Sequence, residues 1–410
     1  LYNFTKQERS TSLELTKTIP KLMSASDALY DGLESWLSQC YGWRDQRHLQ
    51  VLICMVRALL YSGSVNLTKW STYLPNRGQV AQSQQRRVSR WLKNPNIVVS
   101  TLYGPLVKRG LCDWQQSVMY LALDSSMLWN EYCLIRLVVV HRGRGLTLAW
   151  RVMKHASSSV TYADYSSLLK QAAERLPAGV EIVVLADRGF IQIELMNAVS
   201  DLNWGYRIRL KANSWIKRYG HGWCQLSDFH LAAGEARMLH TVRLHKGTQF
   251  GPVLIALACH PNGEAWAVLS NQKTTLKTLQ DYGLRFAIEE SFLDDKSNGF
   301  ELERSHIRDA QMLERLCFVL AVTTLYLTAQ GLEVVETGNR PQVDVHWLRG
   351  NSFFRIGWDW IRRALIEPRQ LITHVRFLGS FESDTVVPSL KYLQNRFLLE
   401  FTVKTLAYPE

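Results

Sequence analysis

The feature that most constrains the fold of this chain is a succession of short apolar runs between residues 118 and 186. Val118–Leu123, Leu134–Val140 and Leu146–Met153 follow one another closely enough to form a three-stranded meander. Tyr162–Leu176 then has the apolar spacing of a helix, and Glu181–Ala186 is a fourth short strand. A meander, a helix and a further strand predict a mixed α/β sheet that is not a simple βαβ repeat.

The regions on either side of this segment have different patterns. Ser35–Leu60 and Gln82–Lys93 have helical apolar spacing, and Ser83 and Asn94-Pro95 are predicted to cap and to stop the second helix. Beyond residue 205, apolar runs separated by turns predict an antiparallel β insertion. These runs are Tyr206–Leu210, Met238–Leu244, Val253–Cys259 and Ala265–Leu269.

Helical patterns return after the insertion. Thr278 to about Lys296 is predicted to be one helix that Asn298-Gly299 stops, Ala310–Leu332 is a long apolar helix, and Phe353–Leu365 is amphipathic. The predicted organisation is α/β (α+β) with five parts. These are a helical domain (1–112), the two pieces of an α/β core (113–204 and 276–332), a β-rich insertion between them (205–275) and a helical C-terminal region (333–410).

Positive charge is concentrated at the start of the chain. The net charge is +12, and residues 1–110 hold fifteen Lys and Arg against six Asp and Glu, an excess of nine. Such a basic end suggests a polyanionic partner, with nucleic acid more plausible than membrane, although a basic solubilising surface fits equally well. On Gln82–Lys93 the apolar residues gather on one side of the helix. This leaves the other sides to four candidate DNA-contacting cations, Arg86, Arg87, Arg90 and Lys93.

Cysteine usage and hydropathy indicate the compartment. The seven cysteines form no CxxC pair, and no apolar core of a signal peptide lies in the first thirty residues. The longest apolar stretches, Val51–Leu60 and Cys317–Ala329, are shorter than the roughly 18 residues of a membrane span. We therefore expect a cytoplasmic protein with reduced thiols, no structural zinc and no membrane partner.

One stripe of polar residues falls on the predicted helix after the insertion. At ~100° per residue, Tyr282, Arg285, Glu289 and Lys296 lie at about 0°, −60°, −20° and −40°. A phenol, two cations and a carboxylate are poor material for a hydrophobic core. The spacing alone favours a solvent-facing helix with an ordinary Arg285–Glu289 ion pair.

Two aspartates, together with Glu289 of the stripe, are candidate ligands for a metal ion. Asp124 and Asp187 each follow an apolar strand directly, a position that is common in α/β proteins and weak evidence by itself. Together with Glu289 they would suit a carboxylate cage for Mg²⁺, which takes hard oxygen ligands. Two such ions about 3.5–4 Å apart support phosphodiester cleavage.

The order of these residues resembles that of bacterial insertion-sequence DDE transposases. Tyr282, Arg285, Glu289 and Lys296 match the Tyr-x2-Arg-x3-Glu-x6-Lys signature of one large group at every spacing, and Asp187 lies in an Ala-Asp-Arg-Gly-Phe context. The segments 299–304 and 353–365 are also similar to the group. The resemblance covers roughly residues 115–370.

The resemblance implies a ribonuclease H-like fold with Asp124 and Asp187 on neighbouring strands. Glu289, rather than Glu290 about 100° around the helix, would complete the ligands of two Mg²⁺ ions, with Mn²⁺ as a substitute. Three of the signature residues would bind DNA phosphates near the cut. These are Tyr282, Arg285 and Lys296.

The insertion adds two kinds of candidate DNA contact. Trp266, in Trp-Ala-Val-Leu-Ser-Asn, resembles a tryptophan with which this group stacks on a base flipped out of the transposon end. The alternative, a core aromatic of a strand, is equally consistent with the sequence. Lys211, with Lys217 and Arg218, could follow the DNA backbone or belong to a solvated surface.

The function implied is that of a transposase acting on double-stranded DNA, both the terminal inverted repeats and the target. The helical domain would bind DNA, the C-terminal region would support a homodimer, and a freed 3′-OH would attack the opposite strand, making a hairpin, or the target directly. One alternative is a nuclease of the same fold that cuts without joining. Another is a non-enzymatic DNA-binding inhibitor or domesticated derivative, against which the three retained carboxylates argue.

Overall fold

The computed structural model describes residues 25–39, 42–75, 80–297, 299–345, 351–367, 369–378 and 402–403. The helices are α1 Ala25–Ser38, α2 Gln46–Ser62, α3 Leu67–Trp70, α4 Ala81–Lys93, α5 Val99–Gly110, α6 Tyr162–Arg175, α7 Ile193–Asp201, α8 Leu276–Gly283, α9 Phe286–Asp295, α10 Ala310–Glu336 and α11 Phe353–Ala364. The strands are β1 Val118–Leu128, β2 Tyr132–His141, β3 Arg144–Lys154, β4 Glu181–Ala186, β5 Gly205–Arg209, β6 Trp215–Lys217, β7 Trp223–Gln225, β8 Glu235–Leu244, β9 Phe250–Cys259, β10 Ala265–Ser270 and β11 Thr402–Val403.

One long sheet organises these elements. Its strand order is β3-β2-β1-β4-β5-β10-β9-β8-β6-β7, with β11 beside β8. The meander β1–β3 is antiparallel, whereas β4 and β5 run parallel to β1. The predicted mixed α/β class is confirmed, and the order 3-2-1-4-5 of the first five strands is the ribonuclease H-like arrangement that the resemblance implied.

The insertion continues this sheet instead of forming a separate one. The run predicted to open the insertion, Tyr206–Leu210, is β5, and it pairs in parallel with β4 on one side and antiparallel with β10 on the other. The strands β10, β9 and β8 are antiparallel, as predicted. The sequence pattern missed β6 and β7 because three-residue strands are too short to show a period of two.

The long helix α10 forms the centre of the helical layer. It extends to Glu336, beyond the predicted Leu332, and packs against α11, β3 and the N-terminal helices. By length and composition it is the one helix of the described residues that could cross a membrane, and 83% of its most apolar window is buried inside the structure. Burial of that kind is typical of a core helix.

The N-terminal helices differ in detail from the prediction. The apolar pattern of Ser35–Leu60 spans two helices, and the Asp45 side chain begins the second by accepting a hydrogen bond from the Arg47 amide at 2.8 Å. The cap prediction for Ser83 is wrong, because α4 begins at Ala81 and Ser83 already lies in its first turn. The predicted stop is confirmed, since α4 ends at Lys93, and the predicted Asn298-Gly299 stop lies partly outside the described residues.

Candidate active site

The register between β1 and β4 brings two aspartates side by side. The last parallel partners of these strands are Leu123 and Ala186. Asp124 and Asp187 each come next, so they emerge at the same edge of the sheet on neighbouring strands, as expected. Asp124 does not end its strand, however, because β1 continues to Leu128 and pairs with β2 beyond this point.

A single arginine links this edge of the sheet to α9. Nη1 of Arg285 donates to Oδ2 of Asp124 at 2.8 Å, and Nη2 donates to Oε1 of Glu289 at 2.5 Å. The other oxygen of Asp124 accepts the Ser125 amide at 2.8 Å. Arg285 is only 6% exposed, and its guanidinium lies 4.9 Å from the centre of the Phe286 ring. The guanidinium is therefore a buried cation held between two carboxylates.

The charge of Asp187 acts on Asp124. Burial raises the pKa of Asp124 to about 6 against the opposing effect of Arg285, and the like charges of Asp187 and Glu289 raise it further. Burial disfavours the charge on Arg285, yet Tyr282 and its two carboxylate partners raise its pKa overall. The charges of Asp187 and Glu289 therefore both act on Asp124, and Arg285 pairs with Asp124 and Glu289.

The prediction of a single helix with a four-residue stripe is wrong. The chain forms α8 and α9, separated at Leu284 and Arg285, whose amides bond to carbonyls three residues back. This tighter turn changes the 100° spacing on which the stripe depended. Tyr282 faces a core on α8, Glu289 faces the sheet edge from α9, and Lys296 lies just beyond the last turn.

Tyr282 and Trp266 are core residues here. Their side chains are 0% and 3% exposed, and their ring centroids lie 5.3 Å apart in an edge-to-face contact. Arg209 lies 5.4 Å from the Trp266 ring centre, and Phe286 packs beside it. The burial of Tyr282 does not fit the predicted contact with a DNA phosphate. The burial of Trp266 agrees with the alternative that it is a core aromatic of a strand.

Lys296 joins the end of α9 to the far end of β1. Its Nζ donates to Oγ of Ser126 at 2.8 Å and to the carbonyl of Met127 at 2.5 Å. Burial lowers the pKa of this ammonium group. Lys296, which was predicted to contact a DNA phosphate, therefore makes intramolecular hydrogen bonds in this structure.

A buried ion pair fixes α9 on the sheet, and the sequence analysis missed it. Arg136 of β2 pairs with Asp295, and their side chains are 4% and 6% exposed. The Phe292 ring centre lies 5.0 Å from the same guanidinium. The available signal was Arg136 itself, a lone cation in the middle of an otherwise apolar strand.

The turn between β2 and β3 holds the outer side of α9. Arg144 pairs with Glu290 at 2.5 Å and with Asp294 at 3.3 Å. Oγ of Ser291 accepts the Gly145 amide at 2.9 Å. Because Glu290 is engaged by Arg144, Glu289 is the glutamate of this helix that faces Asp124.

The candidate DNA-contacting cations of α4 lie elsewhere on the surface. Val88, Trp91 and Leu92 are buried against the helical layer, as predicted, and α4 packs against α2, α3 and α10. The remaining candidates differ in exposure. Arg86, Arg90, Lys93 and Lys211 are exposed, and Arg87 is half-buried.

The three carboxylates are candidate ligands for a metal ion. Among the described residues, no three His, Cys, Asp or Glu side chains lie together as a ready metal cage. Their chemistry nevertheless fits a hard divalent cation, because they are all oxygen donors and their charges crowd around Asp124. In this structure the Arg285 guanidinium supplies the compensating positive charge.

The fold and site define an α/β protein with clustered carboxylates at the edge of a ribonuclease H-like sheet. Residues 130–326 match the family model described as "Transposase DDE domain". This match supports a DDE transposase and covers just under half of the chain. The matched range includes Asp187 and Glu289, and it begins after Asp124.

A solved structure of the piggyBac transposase synaptic complex with hairpin DNA aligns with 96% of this chain and 89% of its own, at 9% identity and a TM-score of 0.39. No curated protein sequence matches the chain.

Proposed function

We propose that this chain is a transposase that binds the DNA ends of a mobile element, cleaves the phosphodiester backbone and joins the freed end to new DNA. One observation carries the proposal. The charges of Asp187 and Glu289 both act on Asp124 at the sheet edge, and Asp187 and Glu289 lie within the region that matches a transposase DDE domain. Clustered carboxylates of this kind suit phosphoryl transfer better than they suit a structural role, since like charges cost stability unless a cation compensates them.

The cofactor proposed is a pair of Mg²⁺ ions, with Mn²⁺ as a substitute. Asp124, Asp187 and Glu289 would hold them. When bound, such ions activate the attacking oxygen and stabilise the charge that develops on the scissile phosphate.

The protein's own residues prepare this site. With a pKa of about 6, Asp124 is a carboxylate at neutral pH and is ready to act as a ligand. Arg285 turns Asp124 and Glu289 towards each other. The Arg136–Asp295 pair and Lys296 keep α9 against the sheet, so that Glu289 remains at the level of Asp124.

The proposed partners are the terminal inverted repeats of a bacterial insertion sequence and a target DNA. Exposed Arg86, Arg90 and Lys93 are proposed to contact the repeats, supported by the positive charge of residues 1–110. The sequence resemblance further supports membership of the Tyr-Arg-Glu-Lys group, a homodimer on DNA and a location at the bacterial nucleoid. A hairpin intermediate loses its main support, because Trp266 is buried.

A strand-transfer assay tests the proposal. Linear DNA that carries the sequences flanking the gene is incubated with the protein, a target plasmid and Mg²⁺, and the products are separated on native and denaturing gels. We expect nicked ends and joined products, and a covalently closed end would indicate the hairpin route. Cleavage without joining would indicate a nuclease, and binding without cleavage would indicate a DNA-binding inhibitor.

A further inference from the structure

The outermost strands of the sheet present an exposed face that the proposed function leaves unused. In β6, Ile216 is buried while Trp215 and Lys217 point to the other side. The pairing partners of Lys217 are Trp223 on β7 and Arg243 on β8. Directly opposite residues share one face of a sheet, so two tryptophans and two cations lie together there. We call these four residues the outer face.

Among the described residues, no carboxylate neutralises the cations of the outer face. Lys217 and Arg243 are exposed and directly opposite each other, and like charges in this position destabilise a sheet. Neither forms an ion pair with any residue that the structure describes. The two acids of residues 211–250 are engaged elsewhere, because Glu235 pairs with Arg237 and Asp228 accepts the Gln225 amide. A polyanion would remove this repulsion.

The aromatic side chains specify which kind of polyanion. Trp215 is 40% exposed, and the ammonium group of Lys246 lies 5.2 Å from its ring centre. Tyr219, in the turn between β6 and β7, is 88% exposed. Exposed rings flanked by cations are how proteins stack unpaired bases while they neutralise the phosphates between them. Paired bases would not offer their faces to these rings.

The sheet order separates this face from the carboxylates. Five strand steps lead from β4, which ends before Asp187, to β6. At ~4.8 Å per step, the separation measured across the strands is about 24 Å. A strand that keeps the ~3.4 Å spacing per nucleotide of one strand of duplex DNA would cover this distance with about seven nucleotides. The outer face is thus a separate surface, within reach of DNA that enters the carboxylate site.

We propose that the outer face, with Tyr219 and Lys246, binds single-stranded DNA by stacking its bases and neutralising its phosphates. The inference rests on the proposed function only in taking DNA as the polyanion. Binding at this surface requires neither a divalent ion nor strand cleavage.

Fluorescence anisotropy of the full chain with a labelled dT20 oligonucleotide in EDTA tests this inference. The double variant Trp215→Ala/Tyr219→Ala should bind dT20 at least tenfold more weakly, because each stacked base is worth about 1–3 kcal/mol. The matched variant Trp215→Phe/Tyr219→Phe keeps both rings and should remain within twofold of the wild type. Binding of a 20-base-pair duplex should change by less than twofold in either variant.

Charge is tested separately. Lys217→Ala/Arg243→Ala should reduce the salt dependence of dT20 binding, with the log–log slope falling by about 1.4, or ~0.7 for each lost phosphate contact. Lys154→Ala/Lys170→Ala removes the same charge from exposed positions near the opposite end of the sheet and should leave the slope unchanged.

Photocrosslinking of the wild-type protein keeps the inference testable even if a variant fails to fold. An oligonucleotide carrying 5-iodouracil should crosslink to Trp215, Tyr219 or Trp223. Unchanged dT20 affinity in Trp215→Ala/Tyr219→Ala, equal losses on duplex DNA, or crosslinks confined to other segments would overturn the inference. Because no cleavage is measured, a failure of the strand-transfer assay would leave this result standing.

Discussion

Arg285 and Asp124 are 161 residues apart in the chain, and their side chains meet at 2.8 Å where β1 faces α9. The same guanidinium also holds Glu289. This relationship connects the two pieces of the α/β core through one buried cation. It also makes the charge balance of the site depend on a single side chain.

Removing that cation should destabilise the protein and increase its response to divalent ions. In Arg285→Ala, Asp124 and Glu289 lose their partner, and we expect unfolding to become easier by about 3 kcal/mol. An ion that binds the freed carboxylates stabilises the folded state by mass action. Thermal denaturation with and without millimolar Mn²⁺ should therefore show a larger Mn²⁺-dependent rise in Tm for Arg285→Ala than for the wild type.

Arg144→Ala is the matched control for this experiment. It removes an arginine that also binds two carboxylates of α9, but on the side of the helix away from Asp124. Its Tm should fall while its Mn²⁺ response stays at the wild-type level. Equal Mn²⁺ responses in all three proteins would show that Arg285 does not balance a cation site.

Removing one partner of the buried pair Arg136–Asp295 should destabilise the protein, because the other charge then remains buried without a partner. Arg136→Met leaves Asp295 buried without its partner, and we expect a loss of about 3–5 kcal/mol in the free energy of unfolding. Arg136→Met/Asp295→Leu removes both charges and should recover most of that loss, as measured by urea denaturation. A double variant no more stable than Arg136→Met would contradict this explanation.

His141 should make stability fall at acidic pH. Burial between Trp114 and Phe377 lowers its pKa to about 3, and neither ring nitrogen has a hydrogen-bond partner among the described residues. The unfolded chain takes up the proton near pH 6.5, so the stabilisation is complete above this value and is lost as the pH falls towards 3.

The corresponding experiment compares urea denaturation at pH 7 and pH 5. The wild type should lose about 2 kcal/mol more than His141→Leu over this interval, at ~1.4 kcal/mol per pH unit below 6.5. His240→Leu removes an exposed imidazole and should retain the wild-type pH dependence. Parallel pH profiles for the wild type and His141→Leu would contradict the assignment.

The exposed arginines of α4 should contribute to binding of element ends. Arg86→Ala/Arg90→Ala removes two cations that the structure leaves exposed, and we expect end-DNA affinity to fall at least tenfold. Lys108→Ala/Arg109→Ala makes the same charge change on the neighbouring α5 and should cost less than threefold in a gel-shift assay. Equal losses in the two variants would indicate a diffuse field instead of a recognition helix.

The sheet could be predicted from the sequence because its strands are long and apolar. The runs that became β1, β2, β3 and β4 were each recognisable, and a mixed order followed from the meander and the intervening helix. The proximity of Asp124 and Asp187 then depends only on where two parallel strands stop pairing. These features are local, or are determined by one register.

The position of each signature side chain could not be predicted in the same way. The spacing of Tyr282 predicts an exposed position, but β10 and Phe286 cover its side chain. A helical wheel cannot predict this burial, because it contains no information about packing against other elements. The only sequence signal for the break at Leu284 is Gly283, which ends α8, and no proline accompanies it. The role of Arg285 as a bridge depends on Asp124, far away in the chain, so spacing offered only its pairing with Glu289.

The most direct test of the catalytic assignment compares Glu289→Gln with Glu290→Gln. Each variant replaces one carboxylate with an amide of the same size, at adjacent positions of α9, and only Glu289 faces Asp124. We measure strand cleavage in Mg²⁺ on DNA that carries the element ends, together with end binding. Glu289→Gln should bind normally and cleave at least a hundredfold more slowly, while Glu290→Gln stays within about threefold of the wild type, since loss of one key electrostatic group at a site costs about 10²–10³ in rate. Equal cleavage by Glu289→Gln and the wild type would contradict the account.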